Sequence, residues 1–495
     1  MSATTTVTLE HRTGLESQTR SQSSEKHTSK PFSLPHEIAF VATVSCAQLM
    51  TQAALGQAIA PLHIIGDTFR IQNPGQLSWF AAGYSLTVGT FILIAGRIGD
   101  IIGHKRAFIF GFLWFGLWSM LAGFSVYSVS QIFFDVCRAF QGIGPATVLP
   151  NGLALLGTTY PPCRRKDMVF SIFGATAPSG FLIGALFSSL FSQLPWWPWS
   201  YWTMGAACCC VAVVSYFVIP IPPTDLDHNN DQRFDYLGAL SGVAGLVLVN
   251  FAWNQGPVVG WGTQYVIVTL IIGILFLMAF AFIEHRVSHP LLPPNMINVE
   301  TGFTLACIAC GWGSFGIWIY YLWQFMEILR KSSPLLVTAQ YAPVGISGLC
   351  AAITTGFLMS RIRSSYIMFV SMIAFTTGSI LVVTTHVDQT YWAQLFVAIV
   401  VMPWGMDMSF PAATVLLSNY VPKKHQGIAA SLVNTVVNYS ISIGLGIAGT
   451  VESRVVDGGS DLLKGYRSAW YTGIGLSGMG ILISSLFVLQ DRGRK

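Results

Sequence analysis

Charged residues are scarce in this chain. Asp, Glu, Lys and Arg make up 9% of its 495 residues, whereas a typical soluble domain contains about 25%. The few charges are spread over short polar stretches, so the net charge of +5 forms no basic patch that would indicate nucleic-acid binding. The composition therefore argues against a soluble protein and against a nucleic-acid partner.

The sequence also lacks catalytic and metal-binding motifs. Cys208, Cys209 and Cys210 are adjacent within a hydrophobic run, which is no disulfide framework. Cys307 and Cys310 lie one helical turn apart, but no second Cys/His pair follows to complete a metal site. No nucleophile–base set and no phosphate-binding loop is found. We therefore expect neither an enzyme nor a bound cofactor or metal.

Long apolar stretches are what the chain has in abundance. Fourteen of them run from Glu37 to the last few residues. About 20 apolar residues span the hydrocarbon core of a bilayer as a helix, and only helices and closed barrels pair all backbone polar groups there. We predict an all-α polytopic membrane protein with fourteen transmembrane helices in the lipid bilayer, numbered here as segments 1 to 14.

The distribution of Lys and Arg predicts the orientation of these segments. If the N-terminus is cytosolic, fifteen Lys and Arg lie in the inner loops and C-tail, and six lie in the outer loops. Basic residues are enriched in cytosolic loops of membrane proteins. Both termini are therefore predicted to be cytosolic.

A weak internal repeat, at an offset of 261 residues, divides the chain into two halves. Gly144, Pro150 and Pro161 correspond to Gly405, Pro411 and Pro422. Such symmetry is typical of transporters built from two bundles. We predict a disordered cytosolic tail (1–36), an N-terminal six-helix bundle (37–220), two inserted helices with cytosolic linkers (221–300), a C-terminal six-helix bundle (301–490) and a C-tail (491–495).

Two motifs carry a family resemblance. Residues 96–106 read GRIGDIIGHKR, and residues 138–146 in segment 4 read RAFQGIGPA. The first resembles the signature G-x-L-a-D-r-x-G-r-K of the major facilitator superfamily, and the second resembles its motif R-x-x-Q-G-x-G-x-A. With fourteen segments, the chain resembles the fourteen-spanner drug:proton antiporter family. Residues 48–61 and 163–167 are similar to a fungal subgroup of aminotriazole-resistance, boron-exporting and low-affinity ammonium-transporting proteins.

The loop after segment 2 is predicted to be a conformational latch. Its glycines let two helix ends turn and approach closely. Its acid is favoured by ~0.3–1 kcal/mol at a helix N-terminus of the other half, and its basic side chains can bind carboxylates or lipid phosphates. A loop that only sets topology would explain the basic residues alone. The predicted latch of the outward-open state consists of Gly96, Gly99, Asp100, Gly103, Lys105 and Arg106.

Three charged residues are candidates for proton coupling. Arg138 lies well inside segment 4, and Asp135, one turn earlier, has the spacing to pair with it. Asp407 lies near mid-membrane in segment 12, too deep to pair with Arg138. An unpaired acid at that depth is expected to be protonated at rest, which suits a proton carrier. The alternatives are a static Asp135–Arg138 pair and an Asp407 that only bonds to backbone near Gly405.

Two positions depart from the pattern that the resemblance implies. Where the family has an Asp in segment 1, nine residues before Pro61, this chain has Gln52, which cannot titrate. The antiporter motif of segment 5 is altered around Pro178. Small residues still allow close helix packing, predicted in segments 4 and 5 at Gly142, Gly144, Pro178, Gly180 and Gly184.

The resemblance implies a central cavity lined by segments 1, 4, 9 and 12. Amides and aromatic faces in these segments suit a small neutral or weakly basic solute. The candidate cavity residues are Gln52, Gln57, Asn151, Trp312, Tyr320, Gln324 and Trp404, and interhelical hydrogen bonding is the alternative role of each. Asp67, Glu327 and Glu452 lie near outer helix ends and are expected to be solvated.

Together these features predict a secondary active transporter that works by alternating access. We expect proton-coupled efflux of a small toxic compound, drug or secondary metabolite from a fungal cell, with protons and a small-molecule substrate as partners. The plasma membrane is the expected location, the vacuolar membrane is the alternative, and the expected functional unit is a monomer. Facilitated boric acid or ammonium transport is the alternative, because Gln52 replaces the acid of segment 1 and cannot titrate. A nutrient sensor that does not transport is less favoured, since both tails are short.

Overall fold

The computed structural model describes residues 33–71, 73–160, 164–194, 196–220, 235–287, 290–292, 298–359, 361–419, 426–456 and 461–493. Within these ranges the chain forms helices and connecting loops, without strands. Most of the predicted tail 1–36 and most of the linker after residue 220 lie outside the described residues. The first described helix begins at Leu34 and the last ends at Arg492.

Fourteen long helices, α1 to α14, correspond in order to the fourteen predicted segments. In the described part of the chain their bounds are Leu34–Ile59, Trp79–Ile102, His104–Ser128, Gln131–Thr159, Arg164–Gln193, Pro198–Val218, Tyr236–Val259, Gln264–Glu284, Val299–Gln324, Pro343–Met359, Ser364–Val383, Gln394–Asn419, Gln426–Val456 and Leu462–Arg492.

Thirteen of the described helices are long and apolar enough to cross a membrane. The exception, α4, is a continuous helix of 29 residues that includes Asp135, Arg138 and Asn151. Polar side chains lower the mean hydropathy of a segment and mark functional positions when they lie within a membrane. The polar side chains of α4 therefore indicate a candidate functional site in this helix.

Short irregular pieces extend several helices at one end of the bundle. They are Leu62–Thr68 after α1, the 3₁₀ turn Pro74–Ser78 before α2, the π-helical turn Phe325–Leu329 after α9, and Pro334–Tyr341 before α10. The Lys and Arg distribution predicts that this end faces away from the cytosol. We refer to it below as the outer end.

Each half of the molecule has its own helix packing, described here for the compact unit that begins at Val41. In the N-terminal half, α4 packs on α2 and α3, and α3 packs on α6. In the C-terminal half, α11 packs on α12 and α14, and α9 packs on α13 and α14. The predicted fold of two bundles is thus the arrangement observed.

The halves meet along two seams. Helix α2 packs on α13, where a Cβ added to Gly89 would lie 2.8 Å from the backbone nitrogen of Tyr439. Helix α5 packs on α10 and on the short helix before it, where the hydroxyls of Ser189 and Thr338 are 3.0 Å apart. These seams are the surfaces that must rearrange if the halves rock against each other.

The inserted helices α7 and α8 pack on each other, and α7 also contacts α13 and α2. Asn254 Nδ2 donates to Ser442 Oγ at 3.3 Å, and Ser442 Oγ donates to Asn250 Oδ1 at 2.8 Å. Ser442 Oγ also lies 3.1 Å from the carbonyl oxygen of Ala82 in α2. Helix α7 therefore lies against the seam between the halves.

Candidate transport site

Arg138 is the most deeply buried charge in the N-terminal half that the structure describes, with no exposed surface. Its Nε donates to the carbonyl oxygen of Phe80 at 2.9 Å, and its Nη2 donates to that of Ala54 at 3.0 Å. Its Nη1 donates to Gln141 Oε1. The guanidinium carbon lies 4.6 Å from the centre of the Tyr84 ring. One cation thus connects α4 to α1 and α2 and is stabilised by carbonyl dipoles and an aromatic face.

The predicted pair between Asp135 and Arg138 is not formed. Asp135 Oδ2 instead accepts a hydrogen bond from Gln131 Nε2 at 3.1 Å. Its Oδ1 is buried and has no hydrogen-bond partner among the described residues. The spacing of the two residues is correct for a pair, but the donors of Arg138 are directed across the bundle to carbonyl oxygens of α1 and α2. Asp135 is therefore a separate acid close to a fixed cation.

Asp407 lies in the seam between α5, α10 and α12. Its Oδ2 is buried and has no hydrogen-bond partner in the described part of the chain. A Cβ added to Gly348 would lie 2.6 Å from this oxygen and 3.3 Å from Cγ of Pro178. The carboxyl group therefore faces Gly348 of α10 and Pro178 of α5. It points into the seam between the halves, and the alternative of a bond from Oδ2 to backbone near Gly405 is not found.

Three of the predicted cavity residues connect neighbouring elements. Gln57 Nε2 donates to Ser200 Oγ at 3.3 Å, Trp312 Nε1 donates to Ser409 Oγ at 3.2 Å, and Gln324 Oε1 accepts from the Tyr466 hydroxyl at 3.3 Å. Interhelical bonds are the alternative role of such groups. Gln57 Oε1 is still buried without a partner among the described residues.

The other cavity candidates differ in their surroundings. Tyr320 is buried next to Tyr321, with ring centroids 5.1 Å apart. Gln52 and Trp404 are half-buried, on α1 and α12 respectively. These two keep accessible surface in the helices that the sequence assigned to the cavity, and they remain candidates for solute contact.

Asn151, a predicted cavity residue, lies beside the predicted latch loop. Its Oδ1 lies 2.8 Å from Nδ1 of His104, and its Nδ2 donates to the carbonyl oxygens of Ala95 (3.2 Å) and Thr147 (2.7 Å). In this structure its amide is held at the joint between α2, α3 and α4, and a solute-binding role for Asn151 stays a prediction. The contact between Asn151 and His104 could not be predicted from sequence, because the two residues meet only in the folded chain.

The latch loop is a sharp joint between α2 and α3. Gly103 has φ +95°, a conformation that L side chains rarely adopt. Asp100 lies 3.6 Å from Arg97 and 3.5 Å from His104 Nε2. The predicted contact of Asp100 with a helix N-terminus of the other half stays a prediction.

The two basic residues of the latch have different roles. Lys105 Nζ donates to the carbonyl oxygens of Tyr216 (2.8 Å) and Ile219, at the C-terminal end of α6. A cation there satisfies carbonyls that have no partner within the helix and is favoured by the helix dipole. Arg106 is exposed, and its binding to lipid phosphates stays a prediction.

Four of the packing glycines lie where helices touch backbone to backbone. A Cβ at Gly142 would meet Tyr84 of α2, and one at Gly144 would meet Phe115 of α3. Gly180 and Gly184 of α5 face the carbonyl oxygens of two residues of α1, Leu49 and Ala53. Pro178 lies in the same helix and faces Gly348 of the other half.

Acidic residues at the outer end do not all fit the expectation from sequence. Asp67 is exposed, as expected. Glu452 Oε2 instead accepts a hydrogen bond from the Tyr321 hydroxyl at 2.6 Å. Glu327 Oε1 is buried in the π-helical turn and has no hydrogen-bond partner among the described residues. The position of Glu327 near a helix end predicted exposure to solvent. The π-helical turn after α9 instead places its Oε1 inside the protein.

Comparison with known proteins agrees with this architecture. The family model of the Major Facilitator Superfamily matches residues 41–445 and 302–495. The chain is 63% identical to the low affinity ammonium transporter of Saccharomyces cerevisiae, over 92% of this chain and 90% of that protein. It is 46% identical to the efflux pump terJ of Aspergillus terreus, over 93% and 90%. It is 39% identical to the aminotriazole resistance protein of Saccharomyces cerevisiae, over 93% and 85%.

A solved structure shares the fold at low sequence identity. The crystal structure of a mutant of the nucleoside transporter NupG matches with a TM-score of 0.62 and 11% identity, covering 91% of this chain and 99% of that one. At this identity the likeness concerns the arrangement of helices alone.

Proposed function

The chain belongs to the major facilitator superfamily of membrane transporters, and from this premise we propose that it carries small, polar, weakly basic solutes across a membrane by proton-coupled alternating access. The observation that carries the proposal is the Asp407 carboxyl group, buried without a partner for Oδ2 where the two halves meet in the described part of the chain. The proposed location is the plasma membrane, with both termini cytosolic and a monomer as the working unit.

Asp407 couples protonation to the state of the α5–α10 seam. A charged carboxylate in a dry seam carries a large desolvation cost, whereas its neutral form does not. The protonated residue therefore favours the closed seam, and loss of the proton favours a state in which water reaches Oδ2. This difference between the two states is what coupling requires, because a ligand shifts an equilibrium only by its differential affinity.

The positive charge of Arg138 is fixed in position and does not change by loss of a proton. Three of its donor groups are held by Phe80, Ala54 and Gln141. A guanidinium is not deprotonated in proteins. Arg138 therefore keeps its charge throughout, and the neighbouring Asp135 is the titratable group beside it that we propose to respond to a proton.

Ammonium and small amines are the solutes that we propose first. The chain is 63% identical along most of its length to a protein named as a low affinity ammonium transporter. The accessible groups on the cavity helices include the amide of Gln52 and the indole of Trp404. An amide oxygen accepts hydrogen bonds from an ammonium group, and an indole face attracts a cation.

Export of a toxic organic compound is the second candidate. It is favoured by the similarity to the efflux pump terJ and to the aminotriazole resistance protein. The two candidates differ in the size of the solute and in the direction of net flux, and one experiment separates them.

The experiment measures intracellular solute in cells that lack or overproduce the protein. Labelled methylammonium, boric acid and 3-amino-1,2,4-triazole are supplied separately, with and without an uncoupler. The proposal predicts that methylammonium content depends on the protein and that the uncoupler abolishes this dependence. Lower triazole content in overproducing cells, with methylammonium unchanged, would establish the second candidate. If no solute responds to the protein, the proposed substrate class is wrong.

A further inference from the structure

A cavity lies at the outer end of the molecule, away from Asp407. Its volume is about 180 Å³. Both halves of the molecule contribute to it. It is lined by His63, Gly66, Asp67, Ile71 and Leu77 from the N-terminal half and by Gln324, Ile328, Leu462 and Tyr466 from the C-terminal half.

The polar groups of this cavity are only partly satisfied. His63 Nε2 is buried and has no hydrogen-bond partner among the described residues. Gln324 Oε1 accepts from the Tyr466 hydroxyl at 3.3 Å, which fixes the amide on the opposite wall. A buried polar atom without a partner carries a cost that a ligand or a water can remove. The cavity therefore has a hydrogen-bonding group available to a solute.

The charges at the cavity favour a cation. Asp67 is an exposed carboxylate at its edge. His63 lies beyond the end of the first membrane span, at Ile59. Burial lowers the pKa of His63, and the neighbouring Asp67 opposes this shift to a smaller extent. A neutral imidazole does not cancel the charge of Asp67, and its unprotonated nitrogen accepts a hydrogen bond.

The volume sets a limit on the solute. A cavity of about 150 Å³ holds benzene, whereas drug-sized ligands occupy pockets of about 300–1,000 Å³. The outer cavity, at about 180 Å³, therefore admits a small amine or a single five- or six-membered ring.

Under the proposed function, the cavity depends on the transport state. One wall comes from the chain after α1, in the N-terminal half. The other comes from α9 and α14, in the C-terminal half. In alternating access the outer ends separate and rejoin. The cavity is complete while they are together, and its two walls part when the outer side opens.

We propose that this cavity is an outer subsite that holds a small amine cation between the entrance and the central path, with Asp67 and His63 as its ligands. The proposal rests on the proposed function, because it assumes that the chain carries small weakly basic solutes. It adds a second binding position that opens and closes with the outer end, and it predicts that the cavity volume limits the size of the solute.

Counterflow tests the subsite, because it measures how transport depends on the solute concentration at the outer side. Right-side-out membrane vesicles from overproducing cells are preloaded with unlabelled methylammonium, and entry of labelled methylammonium is measured over a range of outer concentrations. We expect Asp67→Asn and His63→Gln to raise the half-saturating outer concentration about three- to tenfold and to leave the maximal rate nearly unchanged. Asp388→Asn and His386→Gln, exposed residues of another outer loop, are the matched controls and should not change it.

Two further measurements separate the possible failures. We expect 3-amino-1,2,4-triazole to compete at the outer side and a drug-sized amine not to compete. Binding of methylammonium to the purified protein by calorimetry should weaken in Asp67→Asn. Counterflow by the wild type that is unchanged in both variants would overturn the subsite and leave the proposed function standing. Absence of both counterflow and binding in the wild type would overturn both.

Discussion

Arg138 illustrates how a charge is kept inside an apolar bundle. Its donors reach carbonyl oxygens of Phe80 and Ala54 and the side chain of Gln141, and the Tyr84 ring covers its face. Gln141 in turn donates to Ser119 Oγ at 2.6 Å. Each of these contacts needs a planar group with several donors in fixed directions, which only arginine supplies. The residue therefore orders three helices in addition to providing charge.

Replacement of Arg138 by lysine should keep the charge and lose the geometry. An ammonium group cannot reach the Phe80 and Ala54 carbonyls together, so the buried oxygens lose partners at a cost of about 1–3 kcal/mol each. We expect Arg138→Lys to lower the melting temperature of the purified protein and to reduce transport at least tenfold. Arg106→Lys, at an exposed position, is the control. Equal melting temperatures and rates for the two variants would show that the geometry at Arg138 is unimportant.

At the scale of single elements, α5 depends on small residues to approach α1. Gly180 and Gly184 face the backbone of Leu49 and Ala53 directly. Close helix approach of this kind replaces the hydrophobic driving force that is weak within a bilayer. Helix α5 therefore packs closely on α1. Its glycines do so from positions that differ from those in the motif of the family that the sequence resembles.

Substitution of Gly184 by alanine should separate α5 from α1. Its Cβ would overlap the backbone of Ala53, and overpacking of this type costs about 1–3 kcal/mol. Gly174→Ala in the same helix is the matched control, because a Cβ there meets nothing within 4 Å. We expect a lower melting temperature and lower membrane abundance for Gly184→Ala alone. If both variants behave as the wild type, α5 is not closely packed on α1.

The helices could be predicted from sequence, whereas their ends and side-chain partners could not. Apolar runs specify a membrane helix because the bilayer leaves few other structures. The π-helical turn that buries Glu327 and the pairing of Asn151 with His104 depend on contacts between distant segments. The separation of Asp135 from Arg138 has the same origin, since spacing along one helix says nothing about the carbonyls of its neighbours.

At the scale of the whole molecule, the two bundles meet along the α2–α13 and α5–α10 seams, and α7 lies against the first of them. Three groups that we propose to act in transport lie in different parts of the fold. The predicted latch loop lies at the joint of α2, α3 and α4, Asp407 faces the second seam, and the proposed subsite lies at the outer end. The internal repeat predicted two halves, but it could not predict that the Asp407 carboxyl faces a seam and not a central cavity.

The central claim is that a proton on Asp407 drives the change between states, and proton movement in proteoliposomes tests it most directly. A pH-sensitive dye is enclosed with the purified protein, and methylammonium is added under an imposed pH gradient. We predict that the wild type and Asp388→Asn, an exposed control, move protons with solute. Asp407→Asn should still exchange labelled methylammonium but move no protons with it. Undiminished solute-dependent proton movement by Asp407→Asn would contradict the account.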